Sequence, residues 1–144
     1  MKHIFCGLVL IVAVLFAGCT TTAPSTGATT APATTDLTGK WTGSMAAYIN
    51  GTGYISSPAG TMTLVVTNQT GRIFNGTMIF TDEKNTETTQ FAGAIGHDGK
   101  TLTIVNENGG YDTGSIISNN EIELVYVCDA PPYTVSVDSL ERAE

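Results

Sequence analysis

The chain has 144 residues, with six basic against thirteen acidic side chains and a formal charge of −7 at pH 7. Acidity without a basic cluster excludes a surface built to neutralise phosphates, so nucleic acid is not an expected partner. Charged residues are only 13% of the sequence while Thr and Gly abound, which favours short strands and tight turns over long helices.

The N-terminus reads as an address. Lys2 and His3 precede the apolar run Ile4–Ala17. A membrane-spanning helix needs about 20 apolar residues, whereas the core of a signal peptide needs about 7–15 after a positive charge. Residues 1–18 are therefore expected to be a leader. It closes on Leu15-Phe16-Ala17-Gly18-Cys19, which resembles the lipobox of lipoprotein precursors, with Phe16 standing where that pattern usually has an aliphatic residue. The resemblance implies cleavage before Cys19, a lipid on Cys19, and an exported protein held at the outer face of the cell membrane through that anchor only. Loss of the leader removes Lys2 and no acid, which leaves five basic against thirteen acidic side chains and a charge of −8.

Residues 19–36 are expected to be a tether. Thr20 to Thr35 is almost wholly Thr, Ala, Pro, Ser and Gly, which cannot bury a core, and Pro24 and Pro32 oppose regular structure. Thr-rich stalks of this kind resemble those of small surface lipoproteins in methanogenic archaea.

Residues 37–144 carry the folded domain, roughly 110 residues, enough for a core of its own. Eight strands are predicted near 39–48, 61–68, 72–80, 88–96, 101–107, 110–118, 121–128 and 133–142, separated by runs of Gly, Asn, Asp and Pro. Alternation is clearest in four of them. Met62, Leu64 and Val66 share a dry face, as do Leu102 with Ile104, Ile122 with Leu124 and Tyr126, and Val135 with Val137. The class is all-β. Mostly short connections between successive strands point to an eight-stranded antiparallel up-and-down meander closed into a barrel, with a two-sheet sandwich as the alternative. The longer loop 50–60 is expected to be the least constrained part, a lid or interaction loop.

Chemistry-bearing residues are few. Once Cys6 and Cys19 are assigned to leader and anchor, Cys128 has no disulfide partner and reads as a small buried apolar residue. His97 is the only histidine outside the leader and sits in the predicted turn His97-Asp98-Gly99. No nucleophile-elbow, phosphate-binding or calcium-loop motif occurs, so no catalytic residue, metal or cofactor is assigned. Asn50, Asn68 and Asn75 each open an Asn-x-Thr sequon. The aromatics Trp41, Phe74, Phe80, Phe91, Tyr111, Tyr126 and Tyr133 are candidates for the interior, where they would either fill it or line one end of a pocket; Phe74, Phe91, Tyr111, Tyr126 and Asp138 are the candidate pocket set.

Both ends of the domain carry a further resemblance. Leu37-Thr38-Gly39-Lys40-Trp41-Thr42 looks like the first strand of avidin-type and lipocalin-type barrels, and Val135 to Arg142 looks like the last strand of the avidin type. The resemblance implies that Arg142 packs over Trp41 and closes the barrel, and that Asp138 stands where some avidin-type proteins accept a ureido hydrogen bond. It does not extend to the opposite side of that ligand: the first-strand Asn and Ser map to Gly43 and Ala47, and Trp41 is the only tryptophan. The expected function is a non-enzymatic, lipid-anchored binding module for a small apolar ligand or an envelope protein. A solid-packed structural or inhibitor-like protein acting through loops and outer surface is the alternative. Oligomeric state is left open.

Overall fold

Strands that alternate dry and wet side chains need a surface to bury against, and here the sheet supplies it by curling onto itself. The computed structural model describes residues 34–82 and 85–144. The leader, Cys19 and the tether up to residue 33 lie outside the described residues. Eight strands follow in order: β1 (Gly39–Ile49), β2 (Gly53–Thr70), β3 (Ile73–Asp82), β4 (Thr86–Ile95), β5 (Thr101–Asn106), β6 (Tyr111–Ser118), β7 (Glu121–Cys128) and β8 (Thr134–Arg142). Each pairs antiparallel with the next, and β1 pairs with β8, giving a closed up-and-down barrel rather than a sandwich.

The core is the barrel interior. Trp41, Leu64, Phe74, Ile95, Leu102, Ile104, Ile122, Leu124 and Leu140 are all fully buried, and Leu37 joins them at the end where β1 begins and β8 ends. Phe74 meets Phe91 edge to face, with ring centroids 5.9 Å apart. Packing there leaves no slack. A Cβ at Gly93 would run into the Phe74 ring, and one at Gly43 would collide with the Ser139 carbonyl across the β1–β8 seam.

That seam is fastened by one side chain. The Arg142 guanidinium lies over Trp41, with Cζ 4.2 Å from the ring centroid. It donates to the carbonyls of Thr38 (2.7 Å), Asp36 (2.8 Å) and Asn119 (3.2 Å), while Trp41 Nε1 donates to Leu37 O at 2.8 Å. Thr35 and Asp36, assigned from composition to the tether, are thereby held on the barrel, Thr35 through Gln69 Nε2.

Three expectations are corrected. The 50–60 segment is not a loop: a tight turn at 50–52 leads directly into β2, whose early residues Gly53–Ser56 pair with β1. The irregularity is a bulge. Ser44 pairs with Thr61 but Ala46 with Ser56, so residues 57–60 stand opposite Met45 alone. Turn-rich composition yields here to backbone pairing with the neighbouring strand. The phase of β8 is also inverted: Val135 and Val137 face outward, while Ser136, Asp138 and Leu140 are buried inside. A strand tolerates this because the pleat assigns faces by parity and not by residue type. Finally, Tyr111 and Tyr133 are exposed on the outer surface, so Tyr111 lines no interior pocket. The turn glycines Gly109 and Gly110, with φ of 92° and 78°, set β6 so that its inward positions fall on Asp112, Gly114 and Ile116.

Candidate functional site

Burial inside the barrel is graded. Where β1 begins and β8 ends, inward side chains such as Trp41, Ile122 and Leu140 are buried, whereas toward the distal end Met45, Phe80, Thr89, Tyr126 and Cys128 are only half-buried. Between these regions the interior becomes polar. Strand register brings the polar residues together: Asp112 on β6 pairs with Tyr126 on β7, Tyr126 with Ser136 on β8, and Leu124 with Asp138 one step further in. Asn106, at the end of β5, reaches across its own hairpin to Asp112.

The hydrogen bonds are incomplete. Asn106 Nδ2 donates to Asp112 Oδ2 at 2.9 Å, and Ser136 Oγ donates to Asp138 Oδ2 at 3.3 Å. Three further oxygens, Asn106 Oδ1, Asp112 Oδ1 and Asp138 Oδ1, are buried and have no partner. Asn106 Oδ1 can only accept, and so can Asp112 Oδ1 and Asp138 Oδ1 once their carboxyls are ionised, so what the ionised site lacks is donors. Unpartnered buried polar atoms are rare because each forfeits its hydration for nothing, at a cost of roughly 1–3 kcal/mol.

Electrostatics reflect the same deficit. Asp112 and Asp138 are both fully buried. Burial raises the Asp112 carboxyl to about 6, opposed only by the Asn106 hydrogen bond. Burial and then the Asp112 charge raise Asp138 to about 7, with the Ser136 hydroxyl working the other way. Tyr126 is raised to about 12 by burial, its hydrogen bond with Cys128 and the charges of Cys128, Asp112 and Glu87, which places these groups at the same distal end. Its hydroxyl donates to Gly109 O at 3.4 Å, and a Cβ at Gly110 would collide with its ring. The double glycine thus makes room for the tyrosine beside the acid pair. Among the described residues no group of three or more His, Cys, Asp or Glu side chains is arranged to hold a metal ion.

Of the residues singled out from sequence, Asp138 and Tyr126 belong to this cluster. Phe74 and Phe91 form packed core beneath it. Trp41 and Arg142 meet at the opposite end. Cys128 is half-buried, its thiol 3.6 Å from Ala130 O. His97 lies in an exposed turn where Asp98 accepts from Lys100 N and Thr101 N, both at 2.9 Å, and from the Thr101 hydroxyl. Those bonds hold Asp98 down at about 2. Asn50, Asn68 and Asn75 are all exposed, and Asn68 donates to Asn75 across the β2–β3 ladder at 3.2 Å.

Asp112, Asn106 and Ser136 were not singled out. Their signal was parity: Asn106 continues the inward series of Leu102 and Ile104, Asp112 that of Gly114 and Ile116, and Ser136 that of Asp138 and Leu140. A depression of about 420 Å³ lies on the outside against Asn120, Glu121, Glu141, Arg142 and Glu144, at the end away from the acid pair. No protein-family model matches the sequence, and no curated protein matches it significantly.

Proposed function

We propose that this protein is a non-enzymatic, lipid-anchored binding module of the cell surface, whose barrel takes a small donor-rich ligand from its distal end. One observation carries the reading: three buried oxygens of Asn106, Asp112 and Asp138 lack donors, with two carboxyls among them. An ammonium, amidinium or guanidinium group would supply several N–H donors at once and compensate both carboxylates. Charge-assisted hydrogen bonds of this type are roughly twice as strong as neutral ones. The half-buried Tyr126 and Met45 give an apolar rim for the remainder of such a ligand.

The avidin-like resemblance bears on the barrel seam more than on the ligand. Gly43, where a first-strand ligand contact would map, has the Ser139 carbonyl where any side chain would have to start. A ureido ligand held from both sides is therefore disfavoured, and donors reaching Asp112 and Asp138 from the β5–β8 wall fit better. The anchor rests on the lipobox-like run before Cys19.

Native mass spectrometry of the full chain, purified gently from its own membranes, tests both parts. The expected result is a mass that begins at Cys19 and includes lipid, with a small cationic companion that Asp112→Asn/Asp138→Asn protein does not carry. An unlipidated mass would overturn the anchor. A companion retained by the double variant would overturn the site.

A further inference from the structure

The barrel treats its three Asn-x-Thr sequons differently. A sugar transferase has to grip all three residues of a sequon, so the surroundings of the middle residue and of the Thr hydroxyl decide which one a folded chain can offer. In Asn68-Gln69-Thr70 the middle side chain is a clamp. Gln69 Oε1 accepts from Leu37 N at 2.8 Å, and its Nε2 donates to Thr35 O at 2.8 Å and to Gly71 O at 3.0 Å. Asn75-Gly76-Thr77 lies within the wall, where β3 is paired with β2 on one side and β4 on the other. A Cβ at Gly76 would collide with the Val65 carbonyl, and the Thr77 hydroxyl accepts from Gln90 Nε2 at 3.2 Å. The two asparagines also hold each other, Asn68 Nδ2 donating to Asn75 Oδ1 at 3.2 Å. Neither sequon can be lifted out without opening a ladder or releasing the chain that enters the barrel.

Asn50-Gly51-Thr52 is the reverse case. It is the tight turn between β1 and β2, closed by Thr52 N donating to Ile49 O at 3.0 Å, and all three residues are exposed. Gly51 and Gly53, with φ of 89° and 98°, let the chain reverse here, and a Cβ on either would meet nothing within 4 Å. The Asn50 side-chain amide and the Thr52 hydroxyl make no hydrogen bond among the described residues. Three tyrosines border the turn. Tyr48 stands two residues before Asn50 and pairs with Tyr54 across the hairpin, while Tyr133 O accepts from Asn50 N at 2.9 Å. All three rings are more than half exposed, Tyr54 at 69%. A tyrosine offers an apolar ring face with a polar tip, which suits the mixed C–H and hydroxyl surface of a sugar.

We infer that Asn50 carries an N-linked glycan, transferred to the folded barrel, whose first sugar rests against Tyr48 and Tyr54. The donor is a lipid-linked sugar phosphate, brought by a membrane transferase. Asn50 Nδ2 attacks the anomeric carbon of the first sugar; the C–N bond forms as the C–O bond to the phosphate breaks, the phosphate leaves with the lipid, and the amide gives up one proton. Asn68 and Asn75 stay bare, because their sequons are already folded into the wall. The site rests on the exported location proposed above, since such transfer takes place on the outer side of the membrane. A polar glycan at this position covers the tyrosines and keeps the distal hairpin solvated.

The test is intact mass and glycopeptide mapping of the full chain from its own membranes, with wild type, Asn50→Gln and Asn68→Gln/Asn75→Gln compared. Wild type is expected to carry sugar on Asn50 alone. Asn50→Gln should lose the whole sugar mass while its thermal transition shows an intact barrel, and the double variant should keep that mass. A bare Asn50, or sugar spread over all three asparagines, overturns the assignment. For the resting place of the sugar, its first-ring protons should be shifted upfield by the tyrosine rings in wild type and return in Tyr48→Ala/Tyr54→Ala; unshifted protons in wild type overturn that contact. A chain with lipid on Cys19 and no sugar overturns the glycan and leaves the anchor standing. Sugar on an unlipidated chain does the opposite.

Discussion

At the scale of single residues, the buried acids dominate. A carboxyl raised toward 6 or 7 holds its proton in the folded state after the unfolded chain, near 3.8, has lost it. The native state then binds more protons than the unfolded one, and stability falls as pH rises across that window. These two groups stabilise the fold most below about pH 4, and their contribution is lost as pH passes about 7. Since each tenfold change in proton affinity between the two states corresponds to about 1.4 kcal/mol, the total effect reaches several kcal/mol. Asp138→Asn should therefore flatten the stability profile between pH 4 and 8 and raise stability at pH 8, in chemical denaturation without ligand. A variant profile running parallel to wild type would show that Asp138 does not titrate in this window. Retaining such groups at a cost to stability is the pattern expected where a site is kept for binding rather than for folding.

Elements make the barrel by joining their ends. Arg142 does for the seam what a turn does for a hairpin, tying the last strand to the carbonyls of Thr38, Asp36 and Asn119 while covering Trp41. Arg142→Ala should cost about 3 kcal/mol in urea unfolding of the full chain, through lost charged hydrogen bonds and cation–π contact. Arg142→Lys should recover little of it, because an ammonium cannot serve three carbonyls and lie flat on an indole. Equal stability of the Ala variant would mean that the ladders alone close the barrel. This end of the molecule was legible because Gly-x-Trp and a terminal Arg are sparse, conspicuous letters. Strands β2, β5 and β7 were legible because bulky apolar residues repeat at period two. Elsewhere the alternation is thinned by glycine at inward positions, such as Gly43, Gly76, Gly93 and Gly114, each close against a neighbour. Strand β8 misleads outright, with valines outside and a serine and an aspartate within. Its phase follows from pairing with β1 and β7, which no local pattern contains. The site was half legible for the same reason: Asp138 and Tyr126 could be named, but Asp112 needed the register of a β6 whose outward Tyr111 is the more apolar neighbour.

For the whole molecule, topology decides what each surface is for. A meander with β1 against β8 leaves no free edge, so contacts must be made through an end or through the wall. The end where β1 begins and β8 ends is filled by Leu37 and Trp41 under Arg142, while inward side chains are less buried toward the other end, beyond the acid pair. The seam that closes this barrel also fixes how it bears a load. The chain enters at β1, and a pull on that side reaches the Arg142 clamp first. When the opposing force is applied at the far turn, at Ala130, β1 is drawn lengthwise against β8, and the rungs from Trp41 to Ile49 must give way together. A pull between the two termini instead parts Trp41 from Arg142 and opens the same rungs one after another. Single-molecule stretching should therefore show a clearly higher rupture force for the first geometry, and equal forces would mean that the barrel yields somewhere other than its seam. A force that enters at β1 and is resisted at the distal end therefore acts along the stronger direction of the barrel.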